Sequence, residues 1–443
     1  MAVFYWIQEA TVSYADLVRH HLSLWITFLI TVMKPRSRGT FVELLCGCMI
    51  SPEGWVTRAI GVITRSKHWT TYYKLIERGS IRTLALAQAT LFLAIKVQTD
   101  EEEPKGVTKT VTLVIDDFIT IRQSEKAPDS IIHYDHANRK NRPKYVLSQN
   151  WVVLGISMWN HVFPILCRLV PATGNRNKLK IAESLVRGLV FVLRGYHVRV
   201  LFDSWFTRAR LVLPLLARKM SVIAQARIDT ALFLEPQEVR IHTCGRPRIY
   251  GQKLTREVVD ALPATETTLD IYGKDQKVRL RSIVAKARFF KGLTVCAVWS
   301  EFFDDKKETW GKRHLLLATK TNLDANTIML RYPKRWGIEP QIHILKRWWG
   351  INNLWQQSRS VLECWMQIRV TPWTLVQLLV HVVDHFPMRE VAPWRIGQPI
   401  TGGLVAQWMR MEFMGLQFLD GFDRKSQKFS FPVERGDPRL RFR

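Results

Sequence analysis

Carboxylates set inside apolar, β-branched runs are the first feature of this 443-residue chain that asks for a chemical explanation. Val111 to Thr120 reads as a buried strand, yet Asp116 and Asp117 interrupt it; Val198 to Phe202 reads as another and ends on Asp203. An unpaired buried charge costs several kcal/mol, so these carboxylates need partners. No Lys or Arg stands obviously beside them, which points to a divalent cation bound through oxygen; the plainer alternative puts each at a strand end facing water. Alternation along a strand sends Asp116 and Asp117 in opposite directions, so only one can serve. A third carboxylate, Glu339, shares a helical face with His343 and Lys346, while Ile338, Ile342, Leu345 and Trp349 form an apolar face. A solvated face with an ordinary Glu to His pair would look the same. Pro340 requires Glu339 to lie at the helix start, so Arg335 precedes the regular helix.

The elements that must position these groups follow in chain order. Residues 1–100 read as a helical region, broken at Pro35-Arg36-Ser37-Arg38-Gly39. Within it, Trp55 to Ile63, the turn Thr64 to Lys67 and then His68 to Lys74 fit a helix-turn-helix, although a small bundle with no DNA contact would read alike. The acidic run Asp100 to Glu103, ending in Pro104 and Gly106, marks a boundary. Over 107–228, strands at Val111 to Thr120, Trp151 to Met158 and Val162 to Val170 suggest an antiparallel meander. A helix over Asn177 to Arg194, the strand ending at Asp203, a helix over Trp205 to Lys219 and a strand over Val222 to Ala226 complete it. That order is the order of a ribonuclease H-like mixed α/β sheet. Residues 229–313 read as a β-rich inserted subdomain, and 314–390 as the second part of the core, with helix at Ala325, Arg335 to Trp349 and Trp373 to Phe386. Residues 391–443 read as a basic C-terminal region, basic and aromatic without clear periodicity from about Pro399.

Tyr332, Arg335, Glu339 and Lys346 fall in the order Tyr-x2-Arg-x3-Glu-x6-Lys. With Ile115-Asp116-Asp117, Val200-Leu201-Phe202-Asp203-Ser204-Trp205-Phe206 and Arg331 to Glu339, this resembles the insertion-sequence transposases of family four, with their YREK signature. The resemblance runs from about residue 51 to residue 386. It implies a ribonuclease H-like catalytic core with a β-rich insertion before the glutamate, and a bacterial, nucleoid-associated protein of the cytoplasm. It implies a DDE endonuclease and polynucleotidyl transferase in which Asp116, Asp203 and Glu339 hold two Mg²⁺ ions, with Mn²⁺ as a substitute. Two such ions about 4 Å apart activate the attacking oxygen and stabilise the leaving one. Asp116 is preferred to Asp117 because the motif places the catalytic residue first. Tyr332, Arg335 and Lys346 suit phosphate binding at the cut DNA end. Trp310 is the candidate for stacking an extruded base, with a core role as its alternative. The resemblance implies double-stranded DNA as partner, both element ends and target, and a homodimer on DNA.

Composition agrees with a polyanionic partner. Lys and Arg outnumber Asp and Glu by 65 to 38, giving a formal charge of +27 spread along the chain. The basic loop Arg139-Lys140-Asn141-Arg142, His197 and Arg208 are DNA-contact candidates on charge and place alone. At 47% hydrophobic with 17 Trp the chain can bury a large core, and no apolar run is long enough to span a bilayer. Cys46, Cys48, Cys167, Cys244, Cys296 and Cys364 are scattered, unlike a secreted disulfide scaffold; the Cys46-Gly47-Cys48 pair reads as buried apolar residues. His133, Tyr134, Asp135 and His136 resemble metal ligands but read more simply as a loop satisfying its own polar groups. Two other functions compete: a ribonuclease H-like nuclease that cuts without joining, and a transposase-derived DNA-binding protein without catalysis.

Overall fold

The computed structural model describes residues 13–78, 81–102, 109–122, 124–135, 143–159, 161–173, 176–236, 248–415 and 421–429. The chain divides into two compact units. One, largely helical, holds Met1–Glu103, Lys126–Pro128 and Ile344–Arg443; the other, built on a sheet, holds Pro104–Glu125 and Asp129–His343.

In the helical unit, α1 (Tyr14–Leu29) starts where the Ser13 hydroxyl accepts the Asp16 N–H, and α2 (Pro35–Ile50) opens on a proline at its first position, where no N–H is needed. Short helices α3 (Val56–Gly61) and α4 (Trp69–Glu77) lead to α5 (Thr83–Glu102), which runs on through the acidic residues expected to end it.

Among the described residues, the sheet unit carries twelve strands in one mixed sheet. They are β1 (Thr110–Ile121), β2 (Ile131–Tyr134), β3 (Tyr145–Met158), β4 (His161–Leu169), β5 (His197–Phe202), β6 (Ser221–Ala226), β7 (Leu232–Phe233), β8 (Thr265–Asp270), β9 (Asp275–Ala287), β10 (Leu293–Asp304), β11 (Thr309–Trp310) and β12 (His314–Ala318). Its helices are α6 (Arg176–Leu189), α7 (Ala209–Ala217), α8 (Arg256–Asp260), α9 (Ala325–Arg331) and α10 (Ile338–Trp348), the last ending in the helical unit. Strand β3 is antiparallel to β1 and to β4, which makes the expected meander, and β5 and β6 then add parallel to β1. The strands of 229–313 do not form a sheet of their own. β12 pairs with β6 and β10 with β12, so β10, β9 and β7 extend the same sheet. The helix expected over Trp205 to Lys219 is shorter, because the residues after Asp203 fold as turns around its carboxylate and α7 begins only at Ala209.

The chain returns to the helical unit with α11 (Arg359–Val382), α12 (Met388–Val391) and α13 (Gly402–Gly415), then a small hairpin of β13 (Phe422–Asp423) and β14 (Lys428–Phe429). Helix α11 begins well before Trp373, and α13 occupies a stretch expected to lack periodicity. Buried residues lie all round α2 and α11, which pack on each other. Arg369 on α11 is fully buried and donates to the carbonyls of Cys48, Ser51 and Trp349, supplying positive charge to the last turn of α2. Cys46 and Cys48 are buried apolar residues there. Among the described residues no helix is long and apolar enough to cross a membrane.

Candidate active site

Parallel pairing brings two of the three carboxylates together. Val114 on β1 lies opposite Leu201 on β5, and two residues further along the chain come Asp116, still on β1, and Asp203, just past the end of β5. In-register parallel neighbours share a face and lie roughly 5 Å apart. Each carboxylate feels the low dielectric and its acidic neighbours. Burial pushes Asp116 up to about 7, Arg335 pulls it back, and Asp203 adds to the rise. Burial likewise raises Asp203, against the Phe206 N–H and Arg335, with Asp117 adding to it.

The surroundings fix both groups. Asp203 Oδ1 accepts the N–H of Trp205 at 3.0 Å and of Phe206 at 3.2 Å, a turn that closes the end of β5. The buried Thr207 hydroxyl lies between the carbonyls of Asp203, at 2.8 Å, and Gln225, at 2.7 Å, which ties that turn to β6. Asp116 Oδ1 accepts the Asp117 N–H at 2.8 Å. Asp117 takes the other side of β1, where its carboxylate receives Lys178 Nζ at 2.7 Å and Asn150 Nδ2 at 3.1 Å. Lys178 also lies over the Trp205 ring at 4.8 Å.

The segment Tyr332–Gly337 is a tight 3₁₀ turn packed on β3, β4 and β5, and α10 follows from Ile338. Arg335 therefore precedes the regular helix, with Glu339 in its first turn. Ile338, Ile342, Leu345 and Trp349 are buried and Glu339 and His343 exposed, as their spacing requires. Gly155 on β3, at a register shift, makes room for this start: a Cβ there would sit 2.7 Å from Val162 Cγ1, 2.8 Å from the Phe163 carbonyl and 3.2 Å from Ile338 Cδ1.

Arg335 joins the other members. Its Nη1 donates to Asp116 Oδ2 at 2.7 Å and its Nη2 to Glu339 Oε1 at 3.1 Å. Burial alone would lower it, yet Asp116, Tyr332 and Glu339 hold it above its ordinary value. The Tyr332 hydroxyl, raised by burial, donates to Gln225 Oε1 at 3.3 Å. Lys346 lies in the last turn of α10, in the helical unit.

Two hard oxygen donors, one on β1 and one just past the end of β5, both resisting ionisation, suit a divalent cation chemically. Glu339 is tied to Asp116 through Arg335 instead, and among the described residues no three His, Cys, Asp or Glu side chains are gathered as a metal-holding group.

Several sequence candidates lie elsewhere. Trp310 is half-buried, edge-on to Phe303 at 5.2 Å with the Arg279 guanidinium 4.0 Å above its ring. The aromatic that the insertion sets beside the site is Tyr272, which sequence reading missed. It feels the charges of Arg335 and Glu339 and packs 5.6 Å from the exposed Trp336. Tyr272 and Gly273 both have positive φ and form the two-residue turn between β8 and β9, where no periodicity could have marked Tyr272. His133 bonds Ser148 across β2 and β3. His197 is exposed at the start of β5, and the Arg208 side chain turns back onto the Thr207 carbonyl. His136 and the loop Arg139 to Arg142 lie outside the described residues.

A family, the transposase DDE domain, matches residues 157–375, a stretch that includes Asp203, Tyr332, Arg335, Glu339 and Lys346 and begins after Asp116. This match supports a DDE transposase, a family whose domains generally use divalent metals. No curated protein matches the chain. Among solved structures, the cryo-EM structure of a piggyBac transposase synaptic complex with hairpin DNA is similar over 96% of this chain and 82% of that one, at 12% identity and a TM-score of 0.39.

Proposed function

We propose that the protein is a DNA transposase that cuts at the ends of its own mobile element and joins the freed 3′-hydroxyls to target DNA. One observation carries this reading: Asp116 on β1 and Asp203 just past the end of the parallel β5 are electrostatic neighbours, and Arg335 links Asp116 to Glu339, within a chain whose residues 157–375 match the DDE domain. The strand order β4-β3-β1-β5-β6 supports a ribonuclease H-like core. The spacing of Tyr332, Arg335, Glu339 and Lys346 supports insertion-sequence family four.

Asp116, Asp203 and Glu339 would hold the metal, two Mg²⁺ or Mn²⁺ ions, which when bound polarise the attacking oxygen and stabilise the leaving one. Asp117 is the less suitable ligand, because Lys178 and Asn150 already occupy its carboxylate. Arg335 has a second task. A guanidinium fork fits a phosphate as well as it fits a carboxylate, so DNA entering the site draws Arg335 from Asp116 and Glu339 and releases both oxygens. Tyr332, held by Gln225, positions the same phosphate, and Lys346 adds positive charge on the same helix. Tyr272 and Trp336 offer stacking faces beside the cut end, and Trp310 a third one further along the insertion. Pairing two element ends calls for a homodimer on DNA. In the helical unit, α3 and α4 supply an end-binding surface.

The test incubates the purified protein with DNA carrying its own gene and flanks in Mg²⁺, alongside Asp203→Asn and Glu339→Gln. Breaks at both element ends, absent from either variant, are expected. Binding without cleavage would favour a DNA-binding descendant of a transposase, and cleavage without joining a nuclease.

A further inference from the structure

Within the helical unit, a cavity of about 740 Å³ opens between α3, α4 and the residues leading into α11. Its walls include Trp55, Tyr73 and Trp355, and its polar lining includes Glu77, Gln356 and Ser358. None of these belongs to the acidic site. Trp355 is 63% exposed and Trp55 37%, so two large indole faces are left partly in water. The amide oxygen of Gln356 is buried and has no hydrogen-bond partner, an arrangement that costs free energy until a donor arrives. The Tyr73 hydroxyl is engaged by Thr57, so its ring is held in place. The Arg58 guanidinium lies 5.8 Å from the Trp55 ring centroid. Ser358 precedes the 24-residue α11 without capping it through its side chain, which leaves the positive end of the helix toward an anion.

These features call for one kind of occupant. Flat aromatic walls take a flat ring; the unpaired Gln356 oxygen and the Glu77 carboxylate take N–H groups on its edge; the Arg58 guanidinium beside Trp55, paired with Glu53, and the start of α11 lie where a phosphate would follow. An apolar peptide side chain would fill the walls and leave Gln356 unsatisfied. We propose that this cavity binds one unpaired nucleobase of a DNA strand. The proposal rests on DNA being the partner, and adds a second base-binding place to the chain. A volume of this order accommodates a nucleotide-sized ligand.

The test measures fluorescence anisotropy of labelled DNA with the full chain in EDTA, so that nothing is cut. Three probes are compared: a blunt duplex, the same duplex with a short unpaired overhang, and that overhang made abasic. The unmodified protein is expected to bind the base-bearing overhang about tenfold tighter than the abasic one. Trp355→Ala abolishes this preference, Trp355→Phe retains most of it, and Gln356→Leu weakens it roughly threefold through the lost acceptor. All four proteins bind the blunt duplex alike. Since Trp355 is mostly exposed, matching thermal melts check that its variants fold. Equal binding of base-bearing and abasic overhangs, or a preference that survives Trp355→Ala, overturns the cavity's assignment and leaves the transposase reading intact. Failure to bind even the blunt duplex overturns both.

Discussion

At the scale of single residues, the account turns on two carboxylates that burial makes harder to ionise, with Asp203 adding to the rise of Asp116. The Asp116 carboxyl is moved from its ordinary 3.8 to about 7, so between those values the folded chain keeps a proton that the unfolded chain has lost. Stability from this group is therefore full below the lower value and is lost as pH rises through the upper one. In EDTA, the melting temperature should fall more between about pH 5 and pH 8 for the unmodified protein than for Asp116→Asn, by roughly a few degrees. Equal slopes would show that Asp116 is not so burdened. Asp117 belongs to a different interaction. Lys178→Met should cost on the order of 3 kcal/mol in urea denaturation by leaving that carboxylate unpaired, and Asp117→Asn added to it should recover much of the loss. The sequence left the choice between Asp116 and Asp117 open for a physical reason: the lysine that claims Asp117 lies 61 residues away on a helix, and no local pattern announces it.

At the scale of elements, β1 and β5 were legible as apolar, β-branched runs and α10 by the helical spacing of its apolar side chains, and Pro340 located the start of α10. Elements without such a signal were not. β12 is a short apolar run whose role comes from pairing β6 to β10. α13 opens on two glycines, whose backbone freedom gives them low helix propensity, and its packing outweighs that propensity. Two close fits carry predictions here. Gly155→Ala should destabilise the protein by about 1–3 kcal/mol, because the added methyl meets a backbone carbonyl and pushes on Ile338 at the start of α10. Cleavage, if Glu339 acts there, should fall more than stability explains, as single-turnover rates on folded protein would report. Tyr272→Asn should stabilise the β8 to β9 turn by roughly 1 kcal/mol, since Asn tolerates positive φ better than Tyr. The same variant should weaken binding of the element end, a combination that a merely structural tyrosine would not give.

At the scale of the whole molecule, the class of partner was legible in composition, since a charge of +27 distributed along the chain suits a long polyanion. The division into units was harder to read. The helical unit draws α2 and α11 together from opposite parts of the chain, and two helices buried all round carry no stripe to name their partner. The charge has a measurable consequence. DNA affinity should fall about 10³–10⁵-fold between roughly 50 and 200 mM salt, as for proteins making about 6–10 phosphate contacts. A salt-independent affinity would remove the electrostatic part of the account.

The most direct measurement of the central claim replaces a proposed metal ligand by a softer one. Asp203→Cys should fail to cleave element-end DNA in Mg²⁺ and regain cleavage in Mn²⁺, because a thiolate binds the softer ion better. Loss of cleavage in both metals, in a variant that melts like the unmodified protein and still binds DNA, would contradict a metal-holding role for Asp203, as would full activity in Mg²⁺.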